Sequence, residues 1–319
     1  MKKFLFLVFL IGLLLISCNS NHQETYNFFA MDTIISLTFY NVDDSKEIAG
    51  EVEDIYLKYD AVASDFSSGR NIKSVYDLNK ERSVVVNEEL KELIDFALEM
   101  GKKTDGYYNP FIGRLSHLWK EALAEGKLLT SDVILEELAV MHDTSISFDG
   151  FSATLVGDGN LDLGGIAKGY ATNKAKEYLA SIDCHSYLLN AGFSNIVLGD
   201  KFGECFSVGL LKATGNGYFY TLNLKDKSIG TSSIREQSVL IDGKYYSHLL
   251  NAKTGYPATD YDSISIIGDN SAILDAYSTA CFSMPLEELK EFLALENLDF
   301  IVSKDNRLIY KSLGVDDYA

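Results

Sequence analysis

The run Leu161-Asp162-Leu163-Gly164-Gly165-Ile166-Ala167-Lys168-Gly169-Tyr170 constrains this chain more than any other segment. An apolar strand end meets an acid, two glycines and a lysine where a helix should begin. Paired glycines let the backbone approach a ligand closely, and a helix start presents unpaired N–H groups at a positive dipole end. Lys168 adds a cation one turn in, so a phosphate is the natural guest, while Asp162 suits a metal or a sugar hydroxyl. A purely structural strand-to-helix corner would read the same way. The spacing is neither G-x-G-x-x-G nor a P-loop, so neither nucleotide fingerprint applies.

The N-terminus stands apart from the fold. Lys2 and Lys3 precede an apolar stretch from Phe4 to Ile16, which is too short for a stable membrane span and has the order of an export signal. It ends in Leu15-Ile16-Ser17-Cys18, which resembles the lipobox of bacterial lipoproteins. Residues 1–17 are therefore expected to be removed, Cys18 to carry the acyl (palmitate-type) lipid, and 18–25 to form a polar tether at the extracytoplasmic face of a bacterial membrane. The folded domain is expected over 26–319. Of the four cysteines, Cys184, Cys205 and Cys281 remain, an odd number in apolar surroundings without C-x-x-C spacing, so buried free thiols are expected.

A formal net charge of −18, more negative still once Lys2 and Lys3 leave, argues against a nucleic-acid partner and against charge-driven adhesion to anionic lipid. An acidic protein that takes an anionic ligand needs local cations or a divalent metal. With three prolines and no Ser/Gly-rich linker or repeat, the chain reads as a single compact unit with two intimately packed lobes. Helical spacing recurs at Ile48, Val52, Ile55, Tyr56 and Tyr59 and again at Leu90, Leu93, Ile94, Ala97 and Leu98. Further helices are expected near 113–125, 131–141 (capped by Ser131), 271–284 and 286–294. Short strands are expected at 34–40, 186–190, 195–199, 205–211 and 218–224. A hairpin folds at Asp242-Gly243, and two strands lie near Phe300 and Leu308. The class is mixed α/β (α+β).

Three segments carry candidate chemistry. Asp275 and Thr279 lie at i and i+4 on one helix, a carboxylate and a hydroxyl side by side, hard oxygen donors suited to Mg²⁺; a helix acid beside a core threonine would look the same. His248, at a strand end before Thr254-Gly255-Tyr256-Pro257, is a base for the neutral range or a histidine bonded to backbone. Thr104-Asp105-Gly106-Tyr107-Tyr108-Asn109-Pro110 sets aromatics beside a turn, either as the wall of a flat-ring pocket or as loop packing.

Taken in order, these segments resemble the ApbE family of flavin transferases over nearly all of the mature chain. Met31-Asp32-Thr33 is similar to its Met-Gly-Thr entry strand and Ser64-Asp65-Phe66 to its Ser-x-Phe segment. Thr104 through Trp119 follows its T-x-G-x-F-D-P…L-x-x-L-W stretch, and Asp162 to Ala171 matches D-L-G-G-I-A-K-G-Y-A in full. Asn190-Ala191-Gly192, Tyr246-Ser247-His248, Thr254-Gly255-Tyr256-Pro257 and the Asp275/Thr279 pair fit the remaining motifs.

The resemblance implies a T-fold-related unit that moves FMN from FAD to a threonine or serine hydroxyl of an acceptor protein, releasing AMP. FAD hydrolysis to FMN and AMP, or flavin storage without chemistry, are the alternatives. It implies FAD contacts at Met31, Phe66, Tyr107, Tyr108, Asn109, Asp162, Lys168 and Leu250. The Mg²⁺ ligands would be the Gly165 carbonyl, Asp275 and Thr279, with His248 as base. Acceptors of this kind are flavin-bearing subunits of membrane redox complexes. The chain departs from the pattern at Asp32 (for glycine), Asn109 (for aspartate), Phe193 and Ser194 (where a second glycine is common), the Ser232–Arg235 loop, and Asn251-Ala252 (for Asp-Pro).

Overall fold

The computed structural model describes residues 22–69, 71–235 and 237–318. Residues 1–17, expected as an export signal, and Cys18 lie outside the described residues. Strand β1 (Gln23–Ala30) pairs antiparallel with β2 (Thr33–Tyr40), from Gln23 opposite Tyr40 to Ala30 opposite Thr33. The folded unit thus starts earlier than the tether boundary at residue 25 implied. Gln23, Glu24 and Thr25 are held in the ladder, and the Thr25 hydroxyl meets that of Thr38 at 2.9 Å. Met31 and Asp32 join the strands at φ 52° and 57°. A type I′ hairpin turn needs two positive φ values, which is why glycine suits the second position and why Asp, short and polar, replaces it tolerably.

Eight strands form the main sheet in the order β1-β2-β6-β7-β10-β13-β14-β15. These are β6 (Tyr187–Ala191), β7 (Asn195–Leu198), β10 (Lys227–Ser233), β13 (Ser263–Gly268), β14 (Asp299–Lys304) and β15 (Arg307–Lys311), with every neighbouring pair antiparallel. All of β13 is buried, so both faces of the sheet are covered at its centre. Helices α1 (Ser45–Ala63), α6 (Gly164–Ser181) and α7 (Ser271–Cys281) cover one face. The hairpin β8 (Phe206–Leu211) and β9 (Tyr218–Leu224) covers the other, packing Phe206, Leu210, Leu222 and Leu224 on Leu198, Ile229, Ile267 and Ile301.

Helix α7 is buried almost all round because it is built of small residues, and the sheet meets it with another. A Cβ on Gly230 of β10 would lie 2.6 Å from the Leu274 carbonyl carbon, so only glycine lets helix and strand close to this distance. Asn270 caps the helix by accepting the Ile273 N–H at 3.1 Å.

Before α6 come α2 (Val75–Glu81), α3 (Glu88–Lys103), α4 (Gly113–Ala124) and α5 (Ser131–His142), and a three-stranded sheet of β3 (Ser83–Val85), β5 (Ser152–Val156) and β4 (Ser145–Asp149). In α5 the cap position belongs to Thr130, and Ser131 is already helical. A smaller lobe gathers Leu115, Trp119 and Leu123 of α4 with Ile134 of α5, against the hairpin of β11 (Ser238–Ile241) and β12 (Lys244–Ser247). Helix α8 (Leu286–Leu295) leads into β14. Cys184 and Cys281 are buried free thiols as expected, whereas Cys205 is exposed, because it precedes β8 at the rim of the hairpin instead of facing its core.

Candidate active site

The site forms where α6 begins. No strand leads into it, contrary to the reading of Leu161 as a strand end. The Asn79 side-chain amide takes the place of a neighbouring strand, accepting the Leu161 N–H at 2.7 Å and donating to the Leu161 carbonyl at 2.9 Å. The Asp162 N–H donates to the Pro110 carbonyl at 2.8 Å, which ties this turn to the Tyr107–Pro110 segment. Asp162 Oδ1 accepts the Gly164 N–H at 2.8 Å, an Asx turn that sets the helix start. Lys168 stands one turn in, half-buried.

Helix α7 crosses α6 at this point. The Gly169 N–H donates to Asp275 Oδ2 at 2.7 Å, and Thr279 Oγ1 donates to the Gly165 carbonyl at 3.1 Å. In a regular helix the Gly169 N–H serves the Gly165 carbonyl four residues back. Here it donates to a buried carboxylate, and a hydroxyl from the neighbouring helix donates to the carbonyl. Gly169 is needed for the crossing, and Gly165 leaves it room. A Cβ on Gly169 would fall 2.2 Å from Asp275 Cβ, and one on Gly165 would fall 3.2 Å from Thr279 Cγ2.

The structure therefore brings together the carbonyl, hydroxyl and carboxylate named as metal ligands. Among the described residues no group of three or more His, Cys, Asp or Glu side chains forms a metal cluster. An all-oxygen set with one carboxylate is instead the chemistry of a hard divalent ion that keeps waters and substrate oxygens in its shell, so the residues fit Mg²⁺.

The aromatic segment divides. Tyr108 is buried and packs beside Gly165, its Cε2 3.6 Å from the position of a Gly165 Cβ. Tyr107 is buried: its hydroxyl donates to Glu288 Oε2 at 2.8 Å and Lys253 Nζ covers its ring at 3.9 Å. Burial beside Glu288 pushes that phenol up to about 12. Asn109 Oδ1 accepts the Phe111 N–H at 2.9 Å, a bond that aspartate would also make, so this departure preserves the turn.

Phe66 is 59% exposed, and its ring stacks on His117 at 5.4 Å with Lys120 Nζ 4.3 Å from its centre. His117 is held by Asp65, Nε2 to Oδ2 at 2.7 Å. That bond, with smaller help from the charges of Asp65 and Asp162, raises the imidazole above its ordinary range against desolvation and Lys120. Sequence reading missed this Asp65–His117 pair: its members are 52 positions apart, and neither stands in a periodic or motif context that joins them.

Met31 sits half-buried in the β1–β2 turn, packed against the main core. Beside it, a Cβ on Gly192 would lie 2.4 Å from Thr33 Oγ1, which locks the Asn190–Gly192 turn onto the Met31–Thr33 segment. His248 is exposed at the end of β12, with Nδ1 3.4 Å from the Gln237 carbonyl. Leu250, expected near the nucleotide, is half-buried among the apolar residues of the smaller lobe. Asn251 accepts from the Lys253 and Thr254 N–H groups at 2.9 and 3.1 Å and donates to the Ser283 carbonyl at 3.1 Å, a donation no aspartate could make.

The sequence profile of the ApbE family matches residues 31–302, which includes every residue of this site. The chain belongs to the ApbE family. Among its relatives, an FAD:protein FMN transferase of Treponema pallidum (strain Nichols) is 27% identical over 89% of this chain and 85% of its own. One of Klebsiella pneumoniae (strain 342) is 24% identical over 92% and 96%. The crystal structure of the ApbE protein of Thermotoga maritima superposes with a TM-score of 0.82 at 26% identity, covering 93% of this chain and 99% of that one. The flavin transferase ApbE of Vibrio cholerae, at 18% identity and a TM-score of 0.76 over 94% and 100%, shares the fold. Within this ApbE chain the helix crossing carries residues of the D-L-G-G-I-A-K-G-Y-A run and of the Asp275/Thr279 pair, two motifs more than a hundred positions apart.

Proposed function

We propose that this ApbE-family enzyme is an FAD:protein FMN transferase that moves FMN from FAD to a threonine or serine hydroxyl of an acceptor protein and releases AMP. The observation that carries the reading is the α6–α7 crossing, which sets an oxygen-donor trio against a glycine-paired helix start with Lys168 beside it. A helix N-terminus and a lysine suit a pyrophosphate. Bound by Gly165, Asp275 and Thr279, Mg²⁺ would neutralise charge on the phosphates and favour AMP as the leaving group.

The chain's own residues do the rest. Asp162 fixes the turn and Lys168 offers a cation to the phosphates. Phe66, backed by His117, presents an open ring face for stacking. His248, exposed at the end of β12, is the base for the acceptor O–H proton. The acceptor oxygen then bonds to the FMN-side phosphorus as the bond from that phosphorus to the bridging oxygen breaks, and the electron pair leaves with AMP. Acceptors are expected among flavin-bearing subunits of membrane redox complexes, reached from a Cys18 lipid anchor on the extracytoplasmic side.

Incubation of the protein with FAD, Mg²⁺ and a candidate acceptor, followed by intact mass, tests the reading. A gain of one FMN on the acceptor with AMP released, abolished by EDTA, supports transfer. Free FMN and AMP with no gain on any acceptor tried would favour hydrolysis, and intact bound FAD would favour a carrier.

A further inference from the structure

One end of the main sheet carries an apolar stripe that the described residues leave open to solvent. Phe29 and Ile34 stand directly opposite each other on β1 and β2, and they are 66% and 62% exposed. They lie on the face of the sheet that the β8–β9 hairpin packs. Ile35 belongs to the helix-side core, whereas Tyr40, on the same side as Ile34, meets Phe206 of the hairpin at 5.7 Å. The hairpin thus covers the Tyr40 end of β2 and leaves the Ile34 end bare. The β6–β7 turn adds a third ring here. The Gly192 N–H donates to the Ile34 carbonyl at 3.3 Å, and the next side chain, Phe193, is 65% exposed. Single exposed apolar residues are ordinary, but three gathered at one end of a sheet mark an interaction surface.

Phe193 is also held in a conformation that suits glycine. Its φ is 64°, uncommon for a bulky side chain, and Asn190 Oδ1 fixes it by accepting its N–H at 2.9 Å. Strain of this kind persists only where the surroundings enforce it, and it points to a use. Phe193 and Arg235 line one cleft, which opens between the hairpin and β7, β10 and β13. Arg235 stands two residues before Gln237, whose carbonyl accepts the His248 N–H at 3.3 Å. The stripe therefore runs up to the segment that carries the proposed base.

We propose that Phe29, Ile34 and Phe193 dock the acceptor protein through an apolar patch on its surface beside the hydroxyl that takes FMN. The proposal rests on the flavin-transferase reading and deepens it. A transferase acting on a protein needs a contact surface beyond its nucleotide site, and this one is continuous with the base. Gln23, where β1 begins, lies at the far end of the strand from Phe29, so the chain enters the fold away from the stripe.

The test follows FMN transfer to a soluble acceptor domain from a membrane redox subunit by intact mass, in wild type, Phe193→Gly and Phe29→Ser. Glycine takes a φ of 64° without strain, so Phe193→Gly removes the ring and leaves the turn. Each variant is expected to raise KM for the acceptor about tenfold or more, with FAD affinity and kcat at saturating acceptor within about twofold of wild type. Leu313→Ser, which removes an exposed side chain beyond β15 at the other edge of the sheet, should change nothing. An unchanged acceptor KM in either variant overturns the proposal, and so does weaker FAD binding, which would assign the stripe to the nucleotide. A wild-type dimer in sedimentation that either variant separates would assign it to a second copy of the chain and overturns it too. A wild type that transfers FMN to no acceptor overturns the flavin-transferase reading itself, and this proposal with it.

Discussion

The Gly169 N–H donates to Asp275 Oδ2 at 2.7 Å, and this one bond couples the start of α6 to the middle of α7. It holds a buried carboxylate against α6, while Thr279 of the same helix donates to the Gly165 carbonyl at 3.1 Å. The candidate metal site is thus a product of helix packing, and its integrity should be sensitive to anything that widens the crossing.

Gly169→Ala is the direct probe. The new methyl would fall 2.2 Å from Asp275 Cβ and 2.7 Å from the Ser271 carbonyl oxygen, and the latter is backbone that cannot rotate aside. The variant is expected to lose about 1–3 kcal/mol of stability, as overpacked cores do. Turnover should fall further than stability alone explains. Urea unfolding and flavin transfer measured side by side check this, and wild-type values in both would refute the crossing geometry.

Asp275→Asn keeps an acceptor for Gly169 and removes the charge. The fold should survive while Mg²⁺-supported turnover drops by about 100-fold or more, the scale of losing several kcal/mol of charge stabilisation. FAD binding should persist at reduced affinity. A Mg²⁺ titration of turnover decides the matter: a variant as active as wild type at the same Mg²⁺ would remove Asp275 from the ligand set.

The Asp65–His117 pair predicts a pH dependence. Its imidazole is raised in the folded state, foremost by the hydrogen bond to Asp65. A raised histidine contributes stability that is fully present below its unfolded pKa and is lost as pH climbs through the higher folded value. Thermal stability should therefore decline from mildly acid toward mildly alkaline pH, with Phe66 losing its backing over the same range. Asp65→Asn should flatten that decline; an identical profile in the variant would show that the pair contributes nothing.

Arg114 Nη2 meets the buried Glu137 carboxylate at 2.7 Å, while the second Glu137 oxygen has no hydrogen-bond partner among the described residues. Arg114→Met would strand that carboxylate inside the smaller lobe and should cost about 3 kcal/mol. Adding Glu137→Leu should recover most of the loss, because two apolar groups then replace an ion pair. A double-mutant cycle by chemical denaturation measures it, and a double variant no better than the single one would contradict the account.

Sequence alone determined the local elements and the inventory of chemistry. The 3.6-residue spacing of Val52, Tyr56 and Tyr59, or of Leu90, Leu93, Ile94 and Ala97, marks helices whose apolar faces are indeed buried. Asp242-Gly243 marks a hairpin because its turn needs left-handed residues, and both adopt positive φ. The D-L-G-G run and the Asp275/Thr279 spacing pointed to the site because close backbone approach and same-face oxygens are local properties.

Only the tertiary structure decided the rest. Strand β10 is missing from the expected strands because its glycine and serines give no apolar alternation, yet it is central, because those small residues admit α7 at contact distance. Leu161 lies outside any strand, and the side chain of Asn79, far back in the chain, takes its N–H and carbonyl. The Asp65–His117 bond, the Tyr107–Glu288 bond and the Tyr108 hydroxyl, orphaned among the described residues, each depend on segments that meet only after folding. Local spacing records what one element's neighbours along the chain permit, whereas a hydrogen bond between distant residues is set by packing that no local period encodes.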